Sequence, residues 1–170
     1  MTVEGALPAA WPRHSIELDA AEALSLLGSV SLGRIVFTRH ALPTVRPANH
    51  VLDDGDIVIR THESAALSSY TRHDDAQGVV VAYEADDIDP DTLLGWSVIV
   101  TGYARLITDP RQVARYQKML RPWGTETTDH AVRIRPDLVT GLRLVPSAQV
   151  SEHPSGQPGS QPSGPPFSPP

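Results

Sequence analysis

Stretches in which apolar, mostly β-branched residues alternate with polar ones recur from residue 29 to residue 145. A period of two is typical of half-buried strands, and the clusters of Gly, Pro and Asp between the stretches indicate tight turns. The pattern predicts strands at residues 29–38, 44–51, 57–61, 78–83, 96–108, 130–135 and 142–145, with 136–141 as a turn. Gly33 and Gly102 interrupt the alternation where a bend or bulge would curve the sheet. About six strands joined by tight turns predict an antiparallel barrel rather than a doubly wound sheet.

Short helices separate some of these strands. The one at residues 19–27 begins with Asp19, a good N-cap, and Gly28 supplies a C-terminal stop. The pattern predicts further short helical segments at residues 64–70, 90–94 and 109–121.

The stretch from residue 42 to residue 67 is organised as a hairpin followed by a helix. An acidic turn with glycine, residues 53–56, separates its two strands. Pro47 lies inside the first strand, where it has no N–H for a ladder, so that position is expected at an edge or a bulge. The second strand runs into a helix start near Ser64, where unpaired amides make a seat for an anion.

Composition and charge restrict the functional classes. The chain of 170 residues has a net charge of -6 and no cysteine, which excludes disulfides, zinc thiolate sites and cysteine nucleophiles. Nucleic acid binding is not expected without a basic patch, and no apolar run reaches the roughly 20 residues of a membrane span. The histidines match no metal-ligand spacing, so no metal is expected. Without a signal-peptide pattern, the cytoplasm is the expected location.

The ends of the chain differ from its middle. We interpret residues 1–17 as an N-terminal arm and residues 18–148 as the folded domain. The segment 149–170 is rich in Pro, Ser and Gly, and such a composition buries too little apolar surface to offset its ordering entropy. It is therefore predicted to be a disordered tail.

Three runs of the sequence resemble a known family. They read GRIVFT…LPTVRPANHVLDDGDIVIRT, then GWSVIVTGYA, then RPW…DHAVRIRPDLVTG, in this order. The chain resembles the pyridoxamine 5'-phosphate oxidase-like proteins, and within them the actinobacterial FMN-binding split β-barrels. The resemblance implies a six-stranded antiparallel split β-barrel, a homodimer, and flavin mononucleotide (FMN) at each end of the dimer interface.

The resemblance also assigns cofactor-binding positions. The strand along the flavin ring corresponds to Arg46, Pro47, Ala48, Asn49 and His50. The end of the next strand, near the phosphate, corresponds to Arg60 and Thr61, and the phosphate loop to Ser64, Ala65 and Ala66. Trp96 and Ser97 correspond to positions of the opposing strand that border the ring. No side chain is identified as a catalytic acid or base.

The phosphate loop departs from the family pattern. It usually carries a glycine and a Lys or Arg, and here it reads Ser64-Ala65-Ala66. Three functions therefore remain open: a flavin-dependent oxidoreductase with an unknown small-molecule substrate, a non-enzymatic carrier or sensor of a flavin or of deazaflavin F420, and a dimer of the same fold without cofactor.

Several candidate residues have a structural interpretation as well. Arg60 could pair with the acidic turn across the hairpin, and Trp96 could pack in the core or in a dimer interface. Trp123 is either a loop residue packed on the barrel or part of a lid over the partner's cofactor. His50 is a candidate for titration near a ligand.

Overall fold

The computed structural model describes residues 13–60, 78–120 and 130–147. Within these ranges the chain forms seven strands and two short helices. The strands are β1 (Arg13–Leu18), β2 (Leu32–Arg39), β3 (Leu42–Asp53), β4 (Asp56–Arg60), β5 (Val79–Ile88), β6 (Gly95–Ile107) and β7 (Ala131–Pro146), and the helices are α1 (Ala20–Leu27) and α2 (Pro110–Met119).

The strands form one antiparallel sheet that closes on itself. The order is β1-β7-β4-β3-β2-β5-β6, and β6 also pairs with β7, so the six strands β2 to β7 make a ring. Every pairing is antiparallel. The predicted six-stranded antiparallel barrel is therefore confirmed. No helix in the described ranges is long and apolar enough to cross a membrane.

The seventh strand, β1, lies outside the ring and was not predicted. Its residues 13–17 belong to the segment that the sequence assigns to a loose arm, but they pair with β7 from Arg13↔Pro146 to Leu18↔Gly141. The first part of β7 pairs with β4, and only its second part leaves an edge for β1. Four consecutive positions of β1 are exposed, so the strand carries no clear alternation from which it could be recognised.

The last strand is continuous where a turn was predicted. Residues 136–141 are part of the 16-residue strand β7, and the register with β6 shifts between Thr101 and Gly102, which face Leu138 and Pro136. One residue of β7 is thus extra at this point, which is a β-bulge. A Cβ on Gly102 would lie 2.1 Å from the Arg135 carbonyl oxygen, so the close approach requires glycine.

The interior of the ring is the hydrophobic core, and α1 closes one side of it. Ala23 and Leu27 of α1 are fully buried in it. Asp19 caps α1 as predicted, because its carboxylate accepts the Glu22 N–H at 2.8 Å. The largest core side chains from the strands are Ile35, Phe37, Ile57, Ile59, Tyr83, Trp96 and Ile134.

Helix α2 is attached to the hairpin β3–β4 by both apolar and ionic contacts. Tyr116 is buried against Val58, and its hydroxyl donates a short hydrogen bond to Asp53. Arg115 holds the same carboxylate through two bonds of 2.9 and 3.2 Å. Arg133 of β7 donates to the Tyr116 hydroxyl at 2.8 Å and pairs with Asp56 at 3.1 Å. These contacts fix the end of α2 relative to β3.

Candidate functional site

Strand β3 changes its partner halfway along. Residues from Leu42 to Asn49 pair with β2, whereas His50 to Asp53 pair with β4. At the change, the His50 N–H still bonds to the Ser31 carbonyl on the β2 side at 3.0 Å. Among the described residues no strand pairs with the other edge of residues 42–49. Pro47 lies opposite Arg34 of β2 and has no described strand on its other side, which agrees with its lack of an N–H.

A cleft of about 1030 Å³ adjoins this part of β3. Its walls are the loop after α1 and the start of β2 (residues 28–34), Pro47 and residues 50–52 of β3, Asp86 of β5 and Met119 of α2. Apolar residues and glycines make up most of this lining. The volume lies at the upper end of the range for small-molecule sites. The cleft unites two predicted cofactor-binding residues, Pro47 and His50.

Beneath the cleft, His50 and Tyr83 form a buried hydrogen-bonded chain. The Nε2 of His50 lies 2.8 Å from the Leu27 carbonyl oxygen, and its Nδ1 lies 2.9 Å from the Tyr83 hydroxyl oxygen. That hydroxyl also lies 2.7 Å from the Ala48 carbonyl oxygen. The chain joins the end of α1, strand β3 and strand β5 through residues that are at most 3% exposed.

When His50 is neutral, this hydrogen-bonded chain has one hydrogen fewer than its contacts require. Both carbonyl oxygens only accept, so the three contacts require three hydrogens, while a neutral imidazole and a phenol supply two. A buried polar group without its hydrogen bond destabilises a fold by about 1–3 kcal/mol. Burial lowers the pKa of His50, although its bond to the Leu27 carbonyl opposes this shift. Burial also raises the pKa of Tyr83, so the phenol keeps its proton.

At the rim of the cleft, one arginine forms ion pairs with two carboxylates. Arg34 pairs with Glu84 at 3.0 Å and with Asp86 at 3.1 Å. The hydrogen bond to Glu84 is the main cause that raises the pKa of Arg34. Burial and the nearby Asp86 raise the pKa of Glu84. The cleft is therefore a largely apolar space with a paired cation at its edge.

The other predicted positions on β3 and β4 have different environments. Ala48 is buried, Asn49 is half-buried, and Arg46 is exposed and donates to the Val45 carbonyl at 2.9 Å. Arg60 donates to the Leu120 carbonyl at the end of α2 at 3.1 Å. Thr61, Ser64, Ala65, Ala66 and Trp123 lie outside the described residues.

Trp96 and Ser97 lie on opposite faces of β6 and apart from the cleft. Trp96 is 8% exposed and belongs to the barrel core, in agreement with its structural interpretation. Ser97 lines a separate groove of about 360 Å³ between β1, β6 and β7, together with Glu17 and Thr140. Within one chain, the structure does not bring Ser97 next to the β3 edge.

Tyr83 is a site residue that the sequence did not single out. It ends the apolar run GVVVAY, and a buried tyrosine needs a partner for its hydroxyl, which was an available signal. Gly33, predicted only as a bend or bulge, is also part of this arrangement. A Cβ there would lie 2.4 Å from the Glu84 carbonyl oxygen and 2.7 Å from the Tyr83 ring, so glycine lets Tyr83 reach the chain described above.

Comparison with known proteins supports the relationship indicated by the three sequence runs. A family profile described as pyridoxamine 5'-phosphate oxidase matches residues 19–143. The uncharacterized protein Rv0080 of Mycobacterium tuberculosis is 53% identical over 133 residues, which are 78% of this chain and 88% of that protein.

Two solved structures are similar over most of their length. A putative pyridoxamine 5'-phosphate oxidase from Corynebacterium glutamicum is 31% identical with a TM-score of 0.62, covering 78% of this chain and 99% of that one. An FAD binding protein from Mycobacterium smegmatis is 35% identical with a TM-score of 0.55, covering 76% and 98%.

Proposed function

Because the chain belongs to the pyridoxamine 5'-phosphate oxidase family, we propose that it is a flavin-dependent oxidoreductase that holds FMN along β3 beside Pro47. The observation that carries the proposal is the position of Pro47, on the side of β3 where no described strand pairs, next to a cleft with a mostly apolar lining. A flavin ring is flat and apolar on its faces and hydrogen-bonds along its rim, so a strand edge next to an apolar wall fits it. The similar FAD binding protein supports a flavin.

The residues of this chain would bind and orient the ring. Pro47 has no N–H to offer a neighbouring strand, so this position of β3 suits a flat ligand better than a further strand. Tyr83 and His50 fix the backbone at Ala48 from below. The flavin, when bound, supplies the hydride chemistry, and the protein contributes position and exclusion of water.

A second copy of the chain would complete the site. The groove at Ser97 and the edge at Pro47 are separate within one chain, yet the family resemblance assigns both to the ring. The outer face of the sheet carries a row of mostly apolar residues in register across five strands, namely Val45, Val36, Ala82, Thr101 and Leu138. Val45 and Leu138 are 50% and 57% exposed. An exposed apolar patch of this kind is typical of an interaction surface, and we propose that it forms a two-fold interface.

The homodimer is tested by a charge on this row. Leu138→Arg places an unpaired cation in the proposed interface and is expected to give a monomer in light scattering at micromolar concentration. Leu93→Arg is the matched control, since Leu93 is 44% exposed in the loop before β6. If Leu138→Arg loses flavin binding together with dimerisation, the result supports a site shared by two copies of the chain. A monomeric wild-type protein contradicts the dimer.

The phosphate loop provides the test of FMN itself. Ala66→Lys restores the cation that the family loop carries, and a charge-assisted hydrogen bond contributes about 1.5–3 kcal/mol. FMN should bind roughly 10- to 150-fold more tightly to this variant, whereas riboflavin, which lacks the phosphate, should not respond. Ala66→Gln is the uncharged control. Flavin fluorescence quenching measures all three proteins with FMN, FAD and riboflavin.

The outcomes separate the open functions. An FMN-specific gain with Ala66→Lys places this position near the phosphate, and a preference for FAD in the wild type would replace FMN as the cofactor. Oxidation of NAD(P)H by the loaded protein supports the oxidoreductase, while bound flavin without turnover indicates a carrier. If no flavin binds to any variant, the proposed function is wrong.

A further inference from the structure

The buried chain of His50 and Tyr83 supports an inference beyond flavin binding. Its two ends are backbone carbonyls of different elements, Leu27 of α1 and Ala48 of β3, and its three contacts measure 2.7–2.9 Å. The segments that it joins are those that border the cleft, since residues 28–34 follow Leu27 and Pro47 precedes Ala48. A change in the hydrogen bonds of His50 and Tyr83 therefore affects the residues that line the cleft next to Leu27 and Ala48.

We propose that His50 and Tyr83 are positioning residues whose mutual hydrogen bond reverses direction when His50 takes up a proton, and that ligand binding along β3 is linked to this uptake. The identity of the ligand rests on the proposed function, whereas the reversal of the hydrogen bond does not.

Two states follow from the donors and acceptors. When His50 is neutral, its Nε2–H donates to the Leu27 carbonyl. The Tyr83 hydroxyl then donates either to Nδ1 or to the Ala48 carbonyl, and the other acceptor receives no hydrogen. When Nδ1 takes a proton from solvent, it donates to the Tyr83 oxygen. The Tyr83 proton then belongs to the Ala48 carbonyl. One proton enters from solvent, and no covalent bond other than Nδ1–H is made or broken.

The protonated state favours a ligand in the cleft for two reasons. It gives the Ala48 carbonyl a full hydrogen bond and so fixes β3 next to Pro47. It also places a positive charge beneath the cleft, which attracts the carbonyl-bearing rim of a flat ring. Ligand affinity is therefore expected to rise as the pH falls.

The other charged groups around the cleft form one ion cluster, which a substitution separates from His50. Arg34 and Asp86 line it and are paired with each other, and Glu84 completes the same ion cluster. Glu84 has a raised pKa, because it is partly buried and lies near Asp86, so it is the group to exclude by substitution. From α1, the group that faces His50 is the Leu27 carbonyl, which does not titrate.

The first experiment needs no ligand. Histidine NMR of the full chain follows the titration of His50, identified by its loss in His50→Gln. Tyr83→Phe removes the acceptor for the Nδ1 proton, and an acceptor stabilises the charged imidazole more than a donor stabilises the neutral one. The titration midpoint should fall by about one pH unit in this variant. An unchanged midpoint overturns the reversal of the hydrogen bond between His50 and Tyr83.

The second experiment measures the linkage and keeps the proposal testable if Tyr83→Phe does not fold. Riboflavin is titrated from pH 8 to pH 5.5, because it has no phosphate that ionises in this range. Wild type and Glu84→Gln should bind severalfold more tightly at the lower pH, with a limit of about tenfold per pH unit for one proton. His50→Gln should show no such dependence.

The result with His50→Gln decides the outcome. A His50→Gln protein with the wild-type pH dependence overturns the linkage. If neither riboflavin nor FMN binds to any variant, the flavin proposal and its linkage both fail, and the NMR titration still decides whether the hydrogen bond between His50 and Tyr83 reverses.

Discussion

Gly33→Ala tests whether close packing of β2 on β5 is essential for the fold and the cleft. A Cβ at this position would lie 2.4 Å from the Glu84 carbonyl oxygen, about 0.6 Å inside the 3.0 Å that real Cβ contacts respect. It would also lie 2.7 Å from two carbons of the Tyr83 ring. The ring is fully buried and the carbonyl is backbone, so neither group can swing away into solvent.

The size of the expected destabilisation follows from how β2 and β5 are paired next to Gly33. Strand β2 pairs with β5 over only three positions, Arg34–Val36 opposite Ala82–Glu84, and this short ladder helps to close the ring. Overpacking of a rigid site destabilises by about 1–3 kcal/mol, and a backbone clash next to a short ladder lies at the upper end. At about 4 °C per kcal/mol for a domain of this size, the melting temperature should fall by roughly 12 °C.

Gly55→Ala provides the control for the loss of glycine itself. Gly55 has φ +82° in the turn between β3 and β4, and a Cβ there meets no atom within 4 Å. Alanine at this position would have to adopt the left-handed conformation, which destabilises the fold by about 1–2 kcal/mol. The melting temperature should therefore fall by roughly 4–8 °C. Thermal unfolding followed by circular dichroism compares the two variants. A Gly33→Ala protein that melts at or above Gly55→Ala would refute the argument.

Three further predictions concern stability. Asp53→Asn should lower the melting temperature, because it removes the carboxylate that Arg115 and Tyr116 share. These hydrogen bonds lower the pKa of Asp53. The stabilisation by Asp53 should therefore persist above about pH 4, and acid unfolding should remove it as the pH falls through the lowered pKa. Because burial lowers the pKa of His50, wild type should lose more stability than His50→Gln on acidification below about pH 6.5, seen as a steeper fall in melting temperature; equal slopes would contradict this. Deletion of residues 149–170 should leave the melting temperature unchanged, and a clear loss would show that the segment packs on the barrel.

The ring strands were predictable because their signals are local. Alternation identifies strands such as β2. The predicted bend or bulge is present at Gly102, where the register of β6 and β7 shifts, whereas the pairing of β2 and β3 is regular through Gly33. The helix predicted from residue 109 is capped by Asp109, because its carboxylate accepts the Arg111 N–H at 2.7 Å. Each of these features depends on a few neighbouring residues.

The features that were missed depend on residues far apart in sequence. Strand β1 is held by the end of β7, more than a hundred residues later, and its own pattern carries no alternation. The bond between His50 and Tyr83 spans 33 residues, and the one between Tyr83 and Ala48 spans 35. A histidine in a polar-looking strand gave no sign that it would be buried. Such contacts follow from the ring topology, which one sequence does not specify.

Pro47 shows how a local rule and the topology combine. The rule requires a proline at an edge, while the strand order puts β3 in the middle of a closed ring. Both hold because β3 leaves β2 and joins β4 at His50, so its first half keeps an open edge although the ring is complete. Within the described ranges, no strand of the ring stands between solvent and Pro47. A ligand bound there, as proposed, would not displace a described strand, and it would lie next to the buried chain of His50 and Tyr83, which contacts β3 at the Ala48 carbonyl.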